Sequence, residues 1–301
     1  VLIATNSCIV SGNYIGTDLS GATAAPNGDG GVLVLNAANN YIGIYSDASA
    51  GEAAEGNLIS GNNGSGVSLW GGVRSWVSGN RIGTSASGLS ALPNAAHGVE
   101  IDDSATAQVI GVWNDGVSDA LEGNIISGND GAGIWVNATL FTQIFGNTIG
   151  LGLDKETQVQ NMSSGIYLKN TTNTLIGFDN AESRNIISGN HMEGILLSGG
   201  DNPGASIIGN LIGASASGLD AGNGWSGILV AGSAKAQNFP LAPNPVTHIA
   251  SNTIQYNSTD GVRVDSHAGR GHKIIDNFFG WNGELGIDLG SDDGVTPNDG
   301  P

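Results

Sequence analysis

The chain has 301 residues, of which 50 are glycine and only 12% are charged, so long exposed helices are not expected. It carries 27 acidic and 9 basic residues, a net charge of −18. That balance argues against binding to nucleic acid or to an anionic membrane surface, because both need clustered Lys and Arg. It is typical of a soluble extracellular protein, and 39% hydrophobic residues allow a folded core.

Three further features limit the class of protein that this can be. Cys8 is the only cysteine, so no disulfide can form within the chain. No apolar run approaches the roughly 18 residues that a membrane span needs. The chain starts at Val1, without a methionine and already in a strand-like pattern, so we expect a piece of a longer or processed protein.

Three short phrases recur along the chain. Gly-Asn-x-Ile-Gly contains Asn13, Asn80, Asn147 and Asn210, which are separated by 67, 67 and 63 residues. It interleaves with Asn-x-Ile-Ser-Gly-Asn, which begins at Asn57, Asn124 and Asn185 and in a decayed copy at Asn252. The third phrase is a glycine followed by two apolar residues that flank a variable one. It begins at Gly31, Gly66, Gly98, Gly133, Gly165, Gly194, Gly227, Gly261 and Gly286.

Within a unit, three short apolar segments lie between Gly and Asn. In the unit of Gly98 they are 99–101, 108–110 and 124–126, each too short for a helix and rich in Ile and Val. Such segments bury a face only when successive turns stack. We therefore predict an all-β, right-handed parallel β-helix of about nine turns with three strands per turn, as one domain over 1–301. A β-propeller would need four strands per blade in a hairpin pattern, and a leucine-rich repeat would need regularly spaced Leu and a shorter period.

These repeat phrases resemble those of the pectate-lyase-like parallel β-helix superfamily. The closing stretch 283–299 is similar to repeats in large bacterial extracellular or surface proteins. The resemblance covers nearly the whole chain and implies the fold. It does not choose an activity, because the superfamily includes lyases, hydrolases, epimerases, phage tail proteins and passive scaffolds.

The repeated asparagines and the loops have structural interpretations. Stacked Asn side chains can hydrogen-bond from turn to turn, so ladder or corner positions are predicted for Asn57, Asn62, Asn124, Asn129, Asn185 and Asn190. One set of loops follows the Gly-Asn-x-Ile-Gly strand, and another lies between the second and third strands. They span 17–28, 84–96, 151–163 and 214–224 in the first set and 46–55, 113–122 and 179–184 in the second, with a longer interruption at 235–245. Loops in register can wall a groove, or they are tolerated insertions.

Alternation along the glycine-led strands predicts one outward face with aromatic and charged side chains. On four consecutive turns it presents Trp70, Glu100, Asp102, Trp135, Asn137, Tyr167 and Lys169. Aromatic rings beside hydrogen-bonding groups suit a sugar chain, so Trp70, Trp135, Asn137 and Tyr167 are candidate binding residues. Burial of the rings under loops is the alternative.

Glu100 and Asp102 form the best candidate catalytic pair. Two residues along a strand span roughly 6.6 Å, within the ~6.5–9.5 Å that separates the carboxylates of inverting glycosidases. Lys169 lies two turns away, roughly 10 Å, where it could bind an acidic sugar or act as a base. Ordinary exposed charge is the alternative for all three.

Two more clusters lie near the carboxyl end. Arg263 and Asp265 share the outward face and are candidate binding residues, with His267, Arg270, His272 and Lys273 close by in sequence. No complete lyase, polygalacturonase or epimerase motif is present. Asp288, Asp292 and Asp293 make the final segment acidic, and their oxygen ligands make them a candidate Ca²⁺ site without EF-hand spacing.

Three functions follow from these residues. The first is a bacterial-type extracellular or cell-surface module that contacts a polysaccharide or other glycan through the aromatic-acidic face. The second is a polysaccharide lyase or glycoside hydrolase acting in the same groove. The third is a filament or tail-fibre element that self-associates end to end through its terminal strand edges.

Overall fold

Residues 1–45, 51–199, 202–232, 247–268 and 271–290 are described in a computed structural model of the chain. They form the predicted right-handed parallel β-helix, in which three parallel sheets run along one axis. Each turn contributes one strand to every sheet, so neighbours in a sheet are three strands apart in sequence. The predicted interruption at 235–245 and part of the loop at 46–55 lie outside the described residues.

Sheet A collects the glycine-led strands. They are β1 Leu2–Ile3, β4 Val32–Leu35, β7 Val67–Trp70, β10 Val99–Asp102, β13 Ile134–Asn137, β16 Ile166–Lys169, β19 Ile195–Ser198, β22 Ile228–Val230, β25 Val262–Val264 and β28 Ile287–Leu289. Nine of the ten begin just after a predicted glycine. The additional strand, β1, has no preceding glycine, yet Leu2 pairs with Leu33 in the same register.

Sheets B and C have nine described strands each. Sheet B contains β2 Ile9–Val10, β5 Tyr41–Gly43, β8 Trp76–Ser78, β11 Val109–Gly111, β14 Gln143–Phe145, β17 Leu175–Ile176, β20 Ser206–Ile208, β23 His248–Ala250 and β26 Lys273–Ile275. Sheet C contains β3 Tyr14–Ile15, β6 Leu58–Ile59, β9 Arg81–Ile82, β12 Ile125–Ile126, β15 Thr148–Ile149, β18 Ile186–Ile187, β21 Leu211–Ile212, β24 Thr253–Gln255 and β27 Phe278–Gly280.

Helical structure is confined to two short pieces in the described ranges. They are a 3₁₀ turn at Glu52–Ala54 and α1 at Asp119–Glu122, both in the second loop set. Within those ranges, neither piece nor any other helix has the length and apolarity of a membrane span.

The core is a set of aliphatic columns inside the helix. In sheet C, for example, Ile82, Ile126 and Ile149 lie directly above one another and are fully buried. Full burial of an Ile side chain contributes about 1.5–3 kcal/mol relative to leaving it exposed. Strands of two residues are therefore stable, because each turn stacks on apolar columns from which water is already excluded.

Two asparagine ladders run along the corners on either side of sheet C. Within each ladder the side-chain amide of one residue donates to the side-chain oxygen of the next, over 2.8–3.1 Å. The first contains Asn13, Asn57, Asn80, Asn124, Asn147, Asn185, Asn210, Asn252 and Asn277. The second contains Asn27, Asn62, Asn94, Asn129, Asn161, Asn190, Asn223, Asn257 and Asn282.

The ladders confirm the structural interpretation of the asparagines and divide the predicted residues between two corners. Asn57, Asn124 and Asn185 belong to the first ladder, while Asn62 and Asn129 belong to the second, together with Asn190. The glycines beside the ladders are required because no room is left there for a Cβ atom. At Gly83, where φ is +90°, a Cβ would lie 2.3 Å from the Asn129 side-chain oxygen.

Replacing a central ladder residue should destabilise the protein far more than replacing a terminal one. Asn147 is fully buried and donates to the Ile110, Phe145 and Asn185 oxygens. We expect Asn147→Ala to lower the free energy of unfolding by about 2–4 kcal/mol, because it leaves buried partners unpaired. Urea denaturation measures the change. The control is Asn13→Ala at the exposed first rung, expected to cost less than about 1 kcal/mol; equal losses would contradict the ladder's role.

Candidate functional site

The outward side chains of sheet A form two columns, as the alternation predicts. The first column pairs Glu100 with Trp135 and Trp135 with Tyr167 on successive strands. The second column pairs Trp70 with Asp102 and Asn137 with Lys169. We call the surface made by these seven residues the sheet A face. The structure therefore brings together all the predicted binding and catalytic residues of the four central turns.

Glu100 is held from both sides within the sheet A face. The Ser65 hydroxyl donates to Glu100 Oε2 over 2.6 Å, and the Trp70 indole N–H donates to Oε1 over 3.2 Å. The carboxylate is half-buried, while Trp70 is 37% exposed. Glu100 thus fixes the orientation of an exposed indole ring, a role that the sequence did not indicate.

Asp102 is also engaged by neighbours. Its Oδ1 accepts from the Asn137 side-chain amide at 2.9 Å and from the Asp103 backbone N–H at 2.7 Å. Lys169 is exposed on the strand after Asn137, two turns from Asp102 and thus about 10 Å away. In the described part of the chain, ion pairs within 4 Å are formed by Arg263 and not by Lys169. The Lys169 ammonium is therefore available to a ligand on this face.

The structure adds His97 to the sheet A face, a residue that the repeat pattern does not single out. Its imidazole stacks on the Trp135 indole with ring centroids 5.4 Å apart and planes 3° apart. Nδ1 accepts from the Ala132 backbone N–H at 3.1 Å, which leaves the proton of the neutral ring on Nε2. The position of His97 in the repeat is the available signal. The residue just before a strand glycine contacts an outward side chain of the following turn, as Ser65 does with Glu100, and His97 stands just before Gly98.

The aromatic column ends in a polar contact. Tyr167 is half-buried, and its hydroxyl accepts from the Ser198 hydroxyl at 2.8 Å one turn farther along. Trp135 is also half-buried. Both rings are thus neither covered by loops nor fully exposed, and they offer part of one surface to solvent.

Arg263 and Asp265 lie three turns beyond Tyr167 on the same sheet. Arg263 Nε is 3.3 Å from an Asp265 oxygen and 3.9 Å from an oxygen of Asp288, which is only 1% exposed. The first two line a pocket with Glu193 and Trp225. Asp288 therefore lies in an ion pair beneath the surface, while Asp292 and Asp293, its predicted partners in binding Ca²⁺, lie outside the described residues.

The histidines of the same cluster are tied to their own corner. His267 Nδ1 lies 3.2 Å from the Ser266 hydroxyl, and His272 Nε2 lies 2.8 Å from the Ala268 carbonyl oxygen. Arg270 lies outside the described residues. These contacts are local, and they do not bring either histidine to Arg263.

One group of carboxylates elsewhere has metal-ligand geometry. Oxygens of Asp115, Asp119 and Glu122, in the second loop set, lie within 4.8 Å of one another. Glu122 is buried, and its Oε2 accepts from the Trp113 backbone N–H at 2.7 Å. At least one member of the group therefore serves to close its own loop.

Comparison with known proteins gives a partial family match. The profile of the family described as "Periplasmic copper-binding protein (NosD)" matches residues 2–151, about half of the chain. No curated protein matches.

Several solved structures are similar at low identity. The mannuronan C-5 epimerase AlgE6 A-module of Azotobacter vinelandii is 16% identical with a TM-score of 0.46, covering 92% of this chain and 64% of that one. The periplasmic alginate epimerase AlgG is 13% identical with a TM-score of 0.49, covering 95% and 70%. Pectate lyase Pel9A is 11% identical with a TM-score of 0.39, covering 96% and 79%. The chain thus spans less than two thirds of the AlgE6 module.

The stability of the protein should depend on pH through His97. Burial lowers the pKa of the His97 imidazole from its usual 6.5, and the nearby Glu100 carboxylate opposes part of that shift. Below pH 6.5 the unfolded chain binds the proton more readily, so stability falls as the pH drops through that value towards the folded-state pKa. We expect a smaller loss over this range in His97→Gln, measured by urea denaturation at several pH values. Parallel curves for the two proteins would contradict the burial of this ring.

Proposed function

We propose that the chain is a carbohydrate-binding β-helix module that works outside the cytoplasm, with the sheet A face as its binding surface. The observation that carries the proposal is the column of Glu100, Trp135 and Tyr167, in which two partly exposed rings follow a fixed carboxylate. Rings present large apolar area at low entropic cost, which suits the apolar faces of sugars. Asn137 and Lys169 in the second column supply donors for hydroxyl or acidic groups.

The location is proposed from charge and from the partial family match. The net charge of −18 suits a protein exposed to solvent outside the cell. The family that matches residues 2–151 is described as periplasmic. A surface or periplasmic location also places the sheet A face where polysaccharides occur.

The copper in that family's description does not fit the residues present. Copper sites are built from Cys, Met and His ligands. The matched segment contains one Cys and one His, Cys8 and His97, while the methionines are Met162 and Met192. Cys8 lies near the first turn and His97 faces Trp135 on the sheet A face. We therefore assign the matched segment no copper site.

The proposal predicts that glycan binding depends on Trp135. We expect Trp135→Ala to weaken binding on a glycan array by at least about tenfold, because it removes the central ring of the column. The matched control is Trp281→Ala, which removes a tryptophan that is 69% exposed and stacks on Tyr256 away from sheet A. Unchanged binding in Trp135→Ala, or an equal loss in both variants, would remove the sheet A face as the binding surface.

The same face carries a second candidate function, cleavage of the bound polysaccharide. Glu100 and Asp102 alternate on one strand and both point outward, roughly 6.6 Å apart, a spacing that suits inverting hydrolysis. A screen of neutral and acidic polysaccharides for new reducing ends and for unsaturated products tests this. Cleavage should fall by at least about 100-fold in Glu100→Gln; no product from any substrate would reject the function and leave the binding proposal intact.

A further inference from the structure

The two loop sets form continuous walls on either side of the outer face of sheet C. In the first set each loop is closed by an antiparallel bridge, such as Thr84 with Ala91. Successive loops are then joined along the axis, although they are two turns apart. The Leu153 N–H donates to the Gly88 oxygen at 2.9 Å, and the Ala216 N–H donates to the Lys155 oxygen at 3.1 Å.

The opposite wall is made by the second loop set. The Ser118 hydroxyl donates to Glu52, which joins the first and second loops of this set. Asn114 Oδ1 accepts from the Ser183 hydroxyl at 2.8 Å, which joins the second and third loops. Side chains thus connect loops that are more than 60 residues apart in sequence.

Between the walls lies a cleft of about 520 Å³. Its floor is the outward column of sheet C, where Arg81 is followed by Ile125 and Thr148 on successive strands. The volume is within the range of small-molecule binding sites. The cleft and the sheet A face are built from different sheets and share none of the residues on which either depends.

Positive charge is concentrated in this cleft. Arg81, Lys155 and Arg184 all line it, and the whole chain has only nine Lys and Arg. A third of the basic residues of a strongly acidic protein therefore converge on one cavity. Two carboxylates, Asp119 and Glu182, line the same cleft, so its cations exceed its acidic residues by one, whereas the whole chain has a net charge of −18.

The described part of the protein uses few of the donors of these cations. Arg81 Nη1 donates to the Ala86 oxygen at 2.6 Å, and Arg184 Nε donates to the Gly209 oxygen at 3.1 Å. Each guanidinium has five N–H donors, so several stay free. Lys155 and Arg184 are exposed, and within the described ranges no carboxylate lies within 4 Å of any of the three cations.

We propose that this cleft binds an anionic oligosaccharide through the carboxylate or sulfate groups that it carries. Arg81 and Arg184 are three turns apart, about 14 Å along the axis, so a ligand that contacts both must be extended and carry more than one acidic group, as an oligosaccharide of acidic sugars does. The rim residues Leu121 and Leu153 are 44% and 49% exposed and offer apolar contact. Asp119 and Glu182 also line the cleft, where their oxygens would accept hydrogen bonds from sugar hydroxyls, donors that an inorganic polyphosphate lacks.

The experiment measures binding of short oligogalacturonate and of a sulfated oligosaccharide by calorimetry, with a neutral oligosaccharide beside them. The test variant is Lys155→Gln with Arg184→Gln, both exposed and in loops. The control is Arg74→Gln with Lys273→Gln, which removes two exposed cations outside the cleft and changes the net charge equally. We expect affinity for at least one anionic glycan to fall more than tenfold in the test variant and less than twofold in the control.

Each other outcome overturns the inference. Equal losses in the two variants would show an effect of net charge alone. Binding that survives in the test variant but is lost in Trp135→Ala would place the glycan on the sheet A face, so the cleft would fail while the proposed function held. Absence of saturable binding, or binding of the neutral oligosaccharide as tight as that of the anionic ones, would reject the anionic glycan as the ligand of the cleft.

Discussion

The hydrogen bonds between stacked asparagine side chains set the geometry on which the rest of the molecule depends. Each buried amide both donates and accepts along the axis, so a turn that slipped by one residue would leave polar groups unpaired at two corners. Because the corners are fixed, the strands between them are held in one register even where they are only two residues long. The columns of the core and of both outer faces follow from that register.

Much of this architecture can be predicted from the sequence. Alternation of the glycine-led phrase predicts which side chains share the sheet A face, and the pairing of Trp135 with Tyr167 confirms it. Repetition makes the prediction robust, since each turn tests the same pattern again. The asparagine phrases likewise predict ladders, although their division between two corners emerges only when three strands are placed around an axis.

Other features depend on distances that repetition does not encode. His97 lies in the corner before its strand. Whether its ring contacts Trp135 depends on the backbone conformation of that corner, which sets the direction of the side chain. The grouping of Arg81, Lys155 and Arg184 requires knowing that two loop sets, although separate in sequence, flank the same sheet. Asp288 is buried beside Arg263 of the preceding turn. Its sequence neighbours are acidic and do not indicate this contact.

The alternation of the loops has a consequence for how such a chain can change length. Loops of one set touch each other across an intervening turn, as Gly88 and Leu153 do, so each wall has a repeat of two turns while the core has a repeat of one. Loss or duplication of a single turn would preserve the core but bring loops of one set onto neighbouring turns, where they would collide. Insertions and deletions compatible with the walls therefore come in pairs of turns, and the protein can be lengthened only in steps of its longer period.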